Sequence, residues 1–423
     1  MHILLIHQAF ATIDEPGGTR HHELARYLAA KGHRVTVVTS PISYLTGKEA
    51  GERAEQEETW TVHGESKKPP QGEVRIIRSY VYPVLHRSFF HRMINFFSFM
   101  ISSFLAGWRV PGVDLVWGTS PPIFQGLTAW GLARLKRVPY LFEVRDLWPA
   151  FAVQVGVLRQ PVLIWASEWL ERFLYRHADC VMVNSPGFID HVSERGAKQV
   201  KLVPNGSDSS MFNPAIGGDK FRHKYGLETK FIVLYAGAHG ISNDLGVVLD
   251  SAKQTIDLPE VVYIFVGDGK EKPTLVRQAR EMGLNNVIFI PPVAKSEMPK
   301  VVAAADACVA ILKPVPLYAT VYPNKVFDYM AAGKPVILAI DGVIREVIEA
   351  AQAGIAVPPG DSQSLAQAVG LLAHQPETAR EMGLRGRAYM EKHFDRAILA
   401  EMLEQVLLDL ATQPISLASG KAL

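Results

Sequence analysis

The sequence contains little cysteine, and this limits the folds and metal sites that it can support. Of its 423 residues, two are cysteines, Cys180 and Cys308. Two thiols cannot build a framework of disulfides or, by themselves, a cysteine-rich zinc site. Each lies in an apolar run after an Ala-Asp pair, a context typical of small core residues. We therefore predict that both cysteines are buried and pack as small apolar side chains.

A large net charge is also absent. The chain has 44 Lys and Arg against 42 Asp and Glu, a formal charge of +2, and no dense basic run. This balance gives no reason to expect a partner nucleic acid. Residues 1–7 lack the cationic start and the long apolar run of a secretory signal. We read them as a buried strand of a cytoplasmic protein.

Glycine and proline are too few for a disordered chain, and apolar residues are plentiful. Gly (33) and Pro (27) are modest in number, and 48% of the residues are hydrophobic. The composition is that of a globular protein. A chain of 423 residues also exceeds what one hydrophobic core usually supports. We therefore expect at least two domains.

Apolar segments alternate with helical patterns along the whole chain. The predicted strands cover residues 3–6, 34–39, 115–117, 139–143, 180–183, 231–235, 262–266, 287–290, 307–312 and 335–338. The predicted helices between and after them include residues 19–30, 124–135, 161–175 and 395–411. This alternation predicts an α/β fold of two Rossmann-like, doubly wound domains that face each other across a cleft.

The domain boundaries follow from a Pro- and Gly-rich stretch after residue 204. We assign residues 1–208 to an acceptor-side domain and 209–394 to a nucleotide-sugar-binding domain. The C-terminal segment, 395–423, is able to cross back onto the first domain. Residues 51–71 are polar and without periodicity, and we predict an irregular, mobile excursion there.

The glycine pair Gly17-Gly18 follows the first predicted strand and precedes a helix. Such a pair allows a phosphate to approach the free amides of the helix N-terminus, but it also suits a tight turn, and both readings stay open. The full dinucleotide fingerprint is absent, and the second strand ends at Thr39-Ser40 without an acidic residue. This disfavours a nicotinamide-dependent enzyme.

A second candidate anion site lies in the segment 321–337. Pro323 and Asn324 mark the start of a helix, and we expect Lys325 and Asp328 to lie close together on its first turn. A helix start, a lysine and a nearby carboxylate suit a diphosphate and a ribose. An ordinary helix start with an acidic residue in its first turn is the alternative.

Several segments together resemble the retaining GT-B glycosyltransferases of the group-1 (family 4) type. The segments that carry the resemblance are Gly17-Gly-Thr-Arg-His-His-Glu, Glu143-Val-Arg-Asp-Leu-Trp-Pro149, Asn184-Ser-Pro-Gly187, Val203-Pro-Asn-Gly206, Tyr235-Ala-Gly-Ala-His-Gly240, Val266-Gly-Asp-Gly269, Pro323-Asn-Lys325 with Gly333-Lys-Pro335, and Gly354 to Asp361. They span nearly the whole chain. The Asp-Leu-Trp-Pro and Pro-Asn-Lys variants are most similar to bacterial L-fucosamine transferases of surface-polysaccharide synthesis.

The resemblance implies a nucleotide-sugar donor bound mainly by the second domain and an acceptor bound mainly by the first. Asp328 matches an acid expected on the donor ribose, and Lys325 lies where a cation meets the diphosphate or the donor sugar. The other residues that the resemblance places around the donor are Gly17, Gly18, Gly237, His239, Gly267, Val293 and Asn324. The sequence departs from the family pattern at Thr320 and Ala238, where an acidic and a basic residue are expected.

In the first domain, the resemblance places Arg145 or Asp146 beside the reacting centre, together with Lys325 of the second domain. Asp146 could equally cap the turn that follows it. Trp148 and, more weakly, His22 are the acceptor-side candidates. No Asp-x-Asp pattern occurs, so we expect no metal and no other cofactor, and fixed donors must stabilise the leaving diphosphate.

The adjacent histidines His21 and His22 invite a metal-site interpretation. Neighbouring residues point to different faces of a helix, and no third ligand is evident nearby. We therefore favour one surface histidine and one at an interface.

The segment 88–109 has an aromatic-rich apolar stripe at helical spacing, with His91, Asn95, Ser98 and Ser102 on another face. It is too interrupted to span a bilayer. Basic residues along it favour binding to an anionic membrane surface, and a core helix is the alternative.

Together these observations predict a cytoplasmic glycosyltransferase, peripheral on the inner face of the bacterial cell membrane. It would retain the anomeric configuration and transfer a sugar, such as an N-acetylated deoxyaminosugar, from a UDP-sugar to a lipid-linked saccharide in surface-polysaccharide synthesis. Two other classes stay open: a sugar-nucleotide epimerase of the same architecture, and a non-catalytic sugar-nucleotide-binding subunit.

Overall fold

The chain folds into two compact units. The computed structural model describes residues 1–15, 17–42, 58–62, 72–84 and 89–412. The first unit comprises Met1–Thr12, Gly18–Val203 and the chain from Leu399 onward, and the second comprises Ile13–Gly17 and Pro204–Ile398. The observed division after Val203 lies close to the predicted division after residue 208.

The first unit is built on a sheet of eight strands in the order β3-β4-β2-β1-β5-β6-β7-β8. The strands are β1 (His2–Ile6), β2 (Arg34–Thr39), β3 (Glu58–Val62), β4 (Gly72–Arg78), β5 (Leu115–Ser120), β6 (Tyr140–Val144), β7 (Cys180–Val183) and β8 (Val200–Leu202). All neighbours pair in parallel except β3 and β4. The central strand sets the register, with Ile3 opposite both Val35 and Leu115.

Helices cover the two faces of this sheet. They are α1 (Arg20–Ala30), α2 (Phe89–Trp108), α3 (Phe124–Lys136), α4 (Ala150–Gln154), α5 (Pro161–His177) and α6 (Ile189–Glu194). Buried parallel strands need apolar residues on both faces, which explains the apolar runs in β1, in the first half of β5 and in β7.

The second unit has a sheet of six parallel strands in the order β11-β10-β9-β12-β13-β14. The strands are β9 (Phe231–Ala236), β10 (Val261–Val266), β11 (Val287–Ile290), β12 (Ala307–Ile311), β13 (Val336–Ala339) and β14 (Gly354–Ala356). The helices are α7 (Asp219–Tyr225), α8 (Leu245–Gln254), α9 (Lys272–Glu281), α10 (Met298–Ala303), α11 (Asn324–Ala331), α12 (Val343–Ala351), α13 (Ser362–His374) and α14 (Pro376–His393). The predicted architecture of two Rossmann-like, doubly wound domains is therefore confirmed.

The last helix, α15 (Arg396–Thr412), completes the core of the first unit. Its residues Leu399, Leu403 and Leu407 are fully buried in a cluster with side chains of α1 and of the central strands. The two cysteines, Cys180 and Cys308, are buried and unpaired as predicted.

Part of the predicted excursion at 51–71 has regular structure. Strand β3 lies within it and pairs antiparallel with β4, so the prediction of irregular structure is wrong there. The rest of the segment lies outside the described residues. This edge strand mixes polar and apolar residues, so it contains no apolar run from which a strand could be predicted.

Helix α2 is oriented differently from the prediction. Asn95 was assigned to a polar face, but it is buried with Phe96 and Phe99, and its side chain binds Gln8 and the carbonyl of Tyr82. The outward face instead carries apolar side chains, among them Phe97 and Ile101. Among the helices that the structure describes, none is both long and apolar enough to cross a membrane.

We predict that Leu403→Ala destabilises the first unit by about 2–5 kcal/mol, because it removes a fully buried leucine from the core. The seven tryptophans of the chain all precede Pro204, so tryptophan fluorescence during urea unfolding reports this unit selectively. Leu408→Ala is the matched control on the same helix, since Leu408 is 40% exposed. Equal effects of the two substitutions would contradict the assigned packing of α15.

Candidate functional site

Lys325 lies at the start of α11 and is held by Tyr235 at the end of β9. Its Nζ donates a hydrogen bond to the Tyr235 hydroxyl at 2.8 Å and lies 4.0 Å from the centre of the tyrosine ring. The same hydroxyl donates to the carbonyl of Ala238 at 2.7 Å. Tyr235 is buried, so one side chain fixes both the lysine and the loop after β9.

The charge of Lys325 is not balanced by an acid. No carboxylate among the described residues lies within salt-bridge distance of its Nζ, and burial lowers its pKa to about 7. An anion that binds beside Nζ would stabilise the protonated form and raise this pKa. Lys325 is therefore suited to an anionic group that arrives with a ligand.

Asp328 has other partners. Its Oδ1 accepts a hydrogen bond from the Ser207 hydroxyl at 2.7 Å, and its Oδ2 accepts one from Lys295 at 2.6 Å. We expected Lys325 and Asp328 to lie together on the first turn of the helix. Asp328 is instead the fifth residue of α11, and its carboxylate pairs with Lys295 rather than Lys325. Each carboxylate oxygen keeps a further lone pair for a ligand hydroxyl.

Two glycines beside Lys325 permit a close backbone approach. Gly237 and Gly267 have φ of +145° and +146°, conformations that side chains rarely adopt. A Cβ added to Gly267 would lie 1.9 Å from the Gly237 carbonyl oxygen, and one added to Gly237 would lie 3.1 Å from Lys325 Nζ. The structure thus brings Gly237, Gly267 and Lys325 together in the second unit.

His239 belongs to the same loop but carries no charge at neutral pH. Burial, together with the nearby Lys272 ammonium, lowers its pKa to about 4. The side chain is fully buried, and neither ring nitrogen has a hydrogen-bond partner among the described residues. His239 can therefore offer a ring N–H, but it cannot neutralise a diphosphate as a cation.

The remaining donor-side candidates lie on separate elements. Asn324 is the first residue of α11, and its buried Oδ1 has no partner in the described part of the chain. Val293 follows β11 and packs against the core of the second unit. Thr320 ends a short 3₁₀ turn, and its hydroxyl donates to the Leu317 carbonyl at 2.7 Å.

A buried ion pair organises the candidate site of the first unit. Glu143 of β6 is fully buried, accepts from Arg20 Nε at 3.1 Å and lies 2.6 Å from His21 Nε2. Burial alone would raise the pKa of Glu143, but the contacts with His21 and Arg20 lower it. Burial lowers the pKa of His21. With a pKa of about 4, His21 is neutral at pH 7, and because an ionised carboxylate only accepts, the His21 Nε2–H donates to Glu143.

Arg145 and Asp146 follow β6 directly. The Arg145 guanidinium donates to the carbonyl of Pro121 at 2.9 Å. Burial raises the pKa of Asp146 to about 7, although the neighbouring Arg145 opposes this shift. Helix α4 has Pro149 at its N-cap without a side-chain cap, whereas the backbone of Leu147, in the turn before it, hydrogen-bonds the Asp146 carboxyl. Trp148 is half-buried, with its ring 6.2 Å from that of Phe124.

The histidine pair differs from the prediction. Both His21 and His22 are buried, so the prediction of one surface histidine is wrong. Within the described ranges no group of three or more potential ligands could hold a metal ion. Gly17 and Gly18 are exposed, and a Cβ on Gly18 would meet open space, which argues against a crowded turn at that residue.

Sequence reasoning missed three residues that position the site. Tyr235 and Lys295 were not singled out, because their partners Lys325 and Asp328 lie 90 and 33 residues away. Glu143 was read only as part of a motif. The sequence did contain an indication of its role, because a carboxylate inside an apolar strand requires a buried partner.

Family models match both halves of the chain. A model described as "Glycosyl transferase 4-like domain" matches residues 17–206, and one described as "Glycosyl transferases group 1" matches residues 218–389. The chain therefore belongs to the group-1 glycosyltransferases and is a glycosyltransferase.

A similar protein of Escherichia coli K12 is the colanic acid biosynthesis glycosyl transferase WcaI. It is 26% identical over 321 residues, which cover 74% of this chain and 76% of that protein. The chain also shares its fold with sucrose-phosphate synthase from Thermosynechococcus elongatus, at a TM-score of 0.75 and 21% identity over 97% of this chain and 98% of that one. Anabaena HepE in complex with UDP-glucose gives a TM-score of 0.69 at 19% identity, over 97% and 100%. The fold is thus that of the GT-B glycosyltransferases, as predicted.

We predict that Glu143→Gln destabilises the first unit by about 3–5 kcal/mol at pH 7, because it removes a buried carboxylate charge that Arg20 and His21 both contact. Unfolding in urea, followed by tryptophan fluorescence, measures the effect. In the wild type, the free energy of unfolding should fall as the pH drops below 6.5. The reason is that His21 takes up a proton in the unfolded state at a higher pH than in the folded state. Glu143 should add to this loss below pH 4.5.

Glu73→Gln is the control for this prediction. Glu73 pairs with Arg34 at 2.7 Å, but both side chains are well exposed, so the loss should stay below about 1 kcal/mol. A Glu143 variant as stable as the Glu73 variant would show that the buried pair does not hold β6 to α1.

Proposed function

We propose that this glycosyltransferase transfers a sugar from a UDP-sugar to a saccharide acceptor in bacterial surface-polysaccharide synthesis, with the second unit binding the donor and the first the acceptor. The observation that carries the proposal is Lys325, a half-buried cation without a carboxylate partner among the described residues, beside the glycine-lined loop after β9. UDP-glucose bound to HepE supports the nucleotide, and the pathway in the name of WcaI supports the product.

On the donor side, Lys325 and the amides at the start of α11 contact the diphosphate. Asp328 accepts from the ribose hydroxyls with the lone pairs that Ser207 and Lys295 leave open. Gly237 and Gly267 let the donor approach the backbone, and His239, Asn324 and Val293 line the same region. Gly17 and Gly18 would close over the phosphates.

On the acceptor side, Asp146 accepts a hydrogen bond from the attacking hydroxyl, and Arg145 lies beside it. A half-buried carboxyl with a pKa near 7 can serve as a proton acceptor at neutral pH. Trp148 and His22 contact the acceptor saccharide. We propose that transfer retains the anomeric configuration and that Lys325 and backbone amides, without a metal ion, stabilise the leaving diphosphate.

A lipid-linked acceptor fits the outward face of α2. Phe97, Ile101 and Trp108 are exposed along one side of the helix, as in helices that lie in a membrane interface. We propose that residues 88–109 contact the anionic inner face of the cell membrane from the cytoplasmic side. An N-acetylated deoxyaminosugar is the donor sugar to test first, because the Asp-Leu-Trp-Pro and Pro-Asn-Lys segments resemble those of bacterial L-fucosamine transferases.

We predict that UDP binds the purified protein in the presence of a chelator and that Lys325→Ala weakens binding by about 10- to 100-fold, the usual range for a lost charge-assisted hydrogen bond. Wild-type affinity should fall as the pH rises above about 7, because the unliganded lysine loses its proton there. Titration calorimetry in buffers of different ionisation enthalpy measures the accompanying proton uptake.

Lys300→Ala is the matched control. Lys300 is exposed and paired with Glu297, so this variant should bind UDP like the wild type and keep the same pH dependence. If Lys325→Ala binds UDP normally, or if binding requires a divalent metal, the proposed diphosphate site is wrong.

We predict that Asp146→Asn lowers kcat about 100-fold and leaves UDP affinity unchanged, because the carboxylate acts on the acceptor hydroxyl. The wild-type rate with saturating donor should rise with pH through about 7 as Asp146 ionises, and this rising limb should be absent in the variant. Transfer from a panel of UDP-sugars to a saccharide acceptor provides the rates.

The same panel separates the other two classes. Isomerisation of a UDP-sugar without an acceptor would point to an epimerase. Tight binding without transfer or isomerisation, across the panel and a set of lipid-linked acceptors, would point to a binding subunit.

A further inference from the structure

The outward face of α5 carries large apolar side chains that the sequence analysis did not single out. Val162, Trp165 and Trp169 recur at the spacing of one helix face and are 75%, 67% and 56% exposed. Trp169 stacks on Phe173 of the same helix at 5.5 Å, which orders the indole without covering it. Tryptophans exposed together on one face are uncommon in a soluble domain and mark an interaction surface.

This face belongs to the same side of the first unit as the apolar stripe of α2. Helix α3 lies between the two helices: its Phe124 contacts Phe97 of α2 at 5.2 Å, and its Trp130 contacts Phe173 of α5 at 4.9 Å. The three helices therefore form one layer over one face of the sheet. The exposed apolar residues of α2 and α5 lie on the outer side of that layer.

The N-terminal ends of both helices lie at the edge of the sheet that carries the candidate acceptor residues. Helix α5 follows β6, and α2 precedes β5, so in a parallel sheet both helices begin at the edge where the strands end. Arg145 and Asp146 leave β6 at that edge. A row of rings, Phe97 to Phe124 to Trp148, connects α2 to the same loop.

The charges around this layer favour an anionic partner. Between residues 89 and 177, five arginines are exposed: Arg109, Arg137, Arg159, Arg172 and Arg176. In the same stretch the exposed acidic side chains are Asp114 and Glu168, and Glu168 lies 3.9 Å from Arg172 on the same helix. Arg172 and Arg176 continue the tryptophan face of α5, so its first half is apolar and its last turns are basic.

We infer that α2 and α5 together form one membrane-binding surface, with Trp165 and Trp169 as anchors at the lipid–water interface of an anionic bilayer. Tryptophan suits this depth because its ring is apolar and its N–H is polar, and arginine suits the layer of anionic headgroups. The inference rests on the proposed lipid-linked acceptor and extends it, since the same surface would hold the Arg145–Trp148 loop beside the membrane.

The test is sedimentation of the full chain with vesicles of phosphatidylglycerol and phosphatidylcholine, and with vesicles of phosphatidylcholine alone. We expect the wild type to bind the anionic vesicles more tightly. The double variant Trp165→Ser/Trp169→Ser should bind them at least about tenfold more weakly, because two exposed indoles are lost. Arg172→Gln/Arg176→Gln should bind about fivefold or more weakly at low salt, with the difference shrinking as salt is added.

Leu371→Ser/Leu384→Ser is the matched control. Both leucines are exposed apolar residues of the second unit, and their loss should leave vesicle binding unchanged. Far-ultraviolet circular dichroism and the affinity for UDP verify that each variant is folded. Equal binding of the tryptophan variant and the wild type would overturn the inference, and so would equal binding to both kinds of vesicle.

Two further measurements separate this inference from the proposed function. Vesicle binding is measured without donor or acceptor, so it can succeed even if no sugar is transferred. Transfer to a soluble saccharide acceptor should be unaffected by Trp165→Ser/Trp169→Ser, whereas transfer to a lipid-linked acceptor in vesicles should fall. Concentration-dependent dimerisation that is abolished by the tryptophan variant, without vesicle binding by the wild type, would show that a second copy covers this face.

Discussion

The buried contact of Glu143 with Arg20 and His21 is the interaction on which the first unit's site depends. It joins the end of β6, just before Arg145, to the start of α1, and Arg20 also donates to the carbonyl of Val203 at 2.7 Å. A carboxylate without exposure is tolerated only where its oxygens are paired in this way. Because the pair fixes the end of β6, it also fixes where Asp146 leaves the sheet.

In the second unit, the two charged residues of the candidate site have separate partners. Lys325 and Asp328 are three residues apart on one helix, yet the lysine has a neutral hydroxyl as its partner and the aspartate has an ammonium. Pairing the two with each other would leave neither charge for a ligand. Tyr235 holds the lysine in place without neutralising it, so an unbalanced cation stays beside the loop after β9.

Much of the fold could be predicted because apolar runs report parallel strands directly. The strands Arg34–Thr39, Cys180–Val183 and Val287–Ile290 were predicted at their observed bounds. The edge strand Glu58–Val62 and its neighbour Gly72–Arg78 were not, since they alternate polar and apolar residues. The composition of the candidate site was predictable from motifs, whereas its contacts were not. Nothing local in the sequence links Lys295 to Asp328 or shows that His22 is buried.

The helix α15 has a consequence for the order in which the molecule can form. The first unit fills its core with Leu399, Leu403 and Leu407, which follow every residue of the second unit in the chain. During synthesis, the second unit is therefore complete while the first still exposes the apolar surface that α15 will cover. The unit that is translated first therefore finishes folding last. Its core is complete only when α15 packs against α1 and the central strands, which lie several hundred residues earlier in the chain.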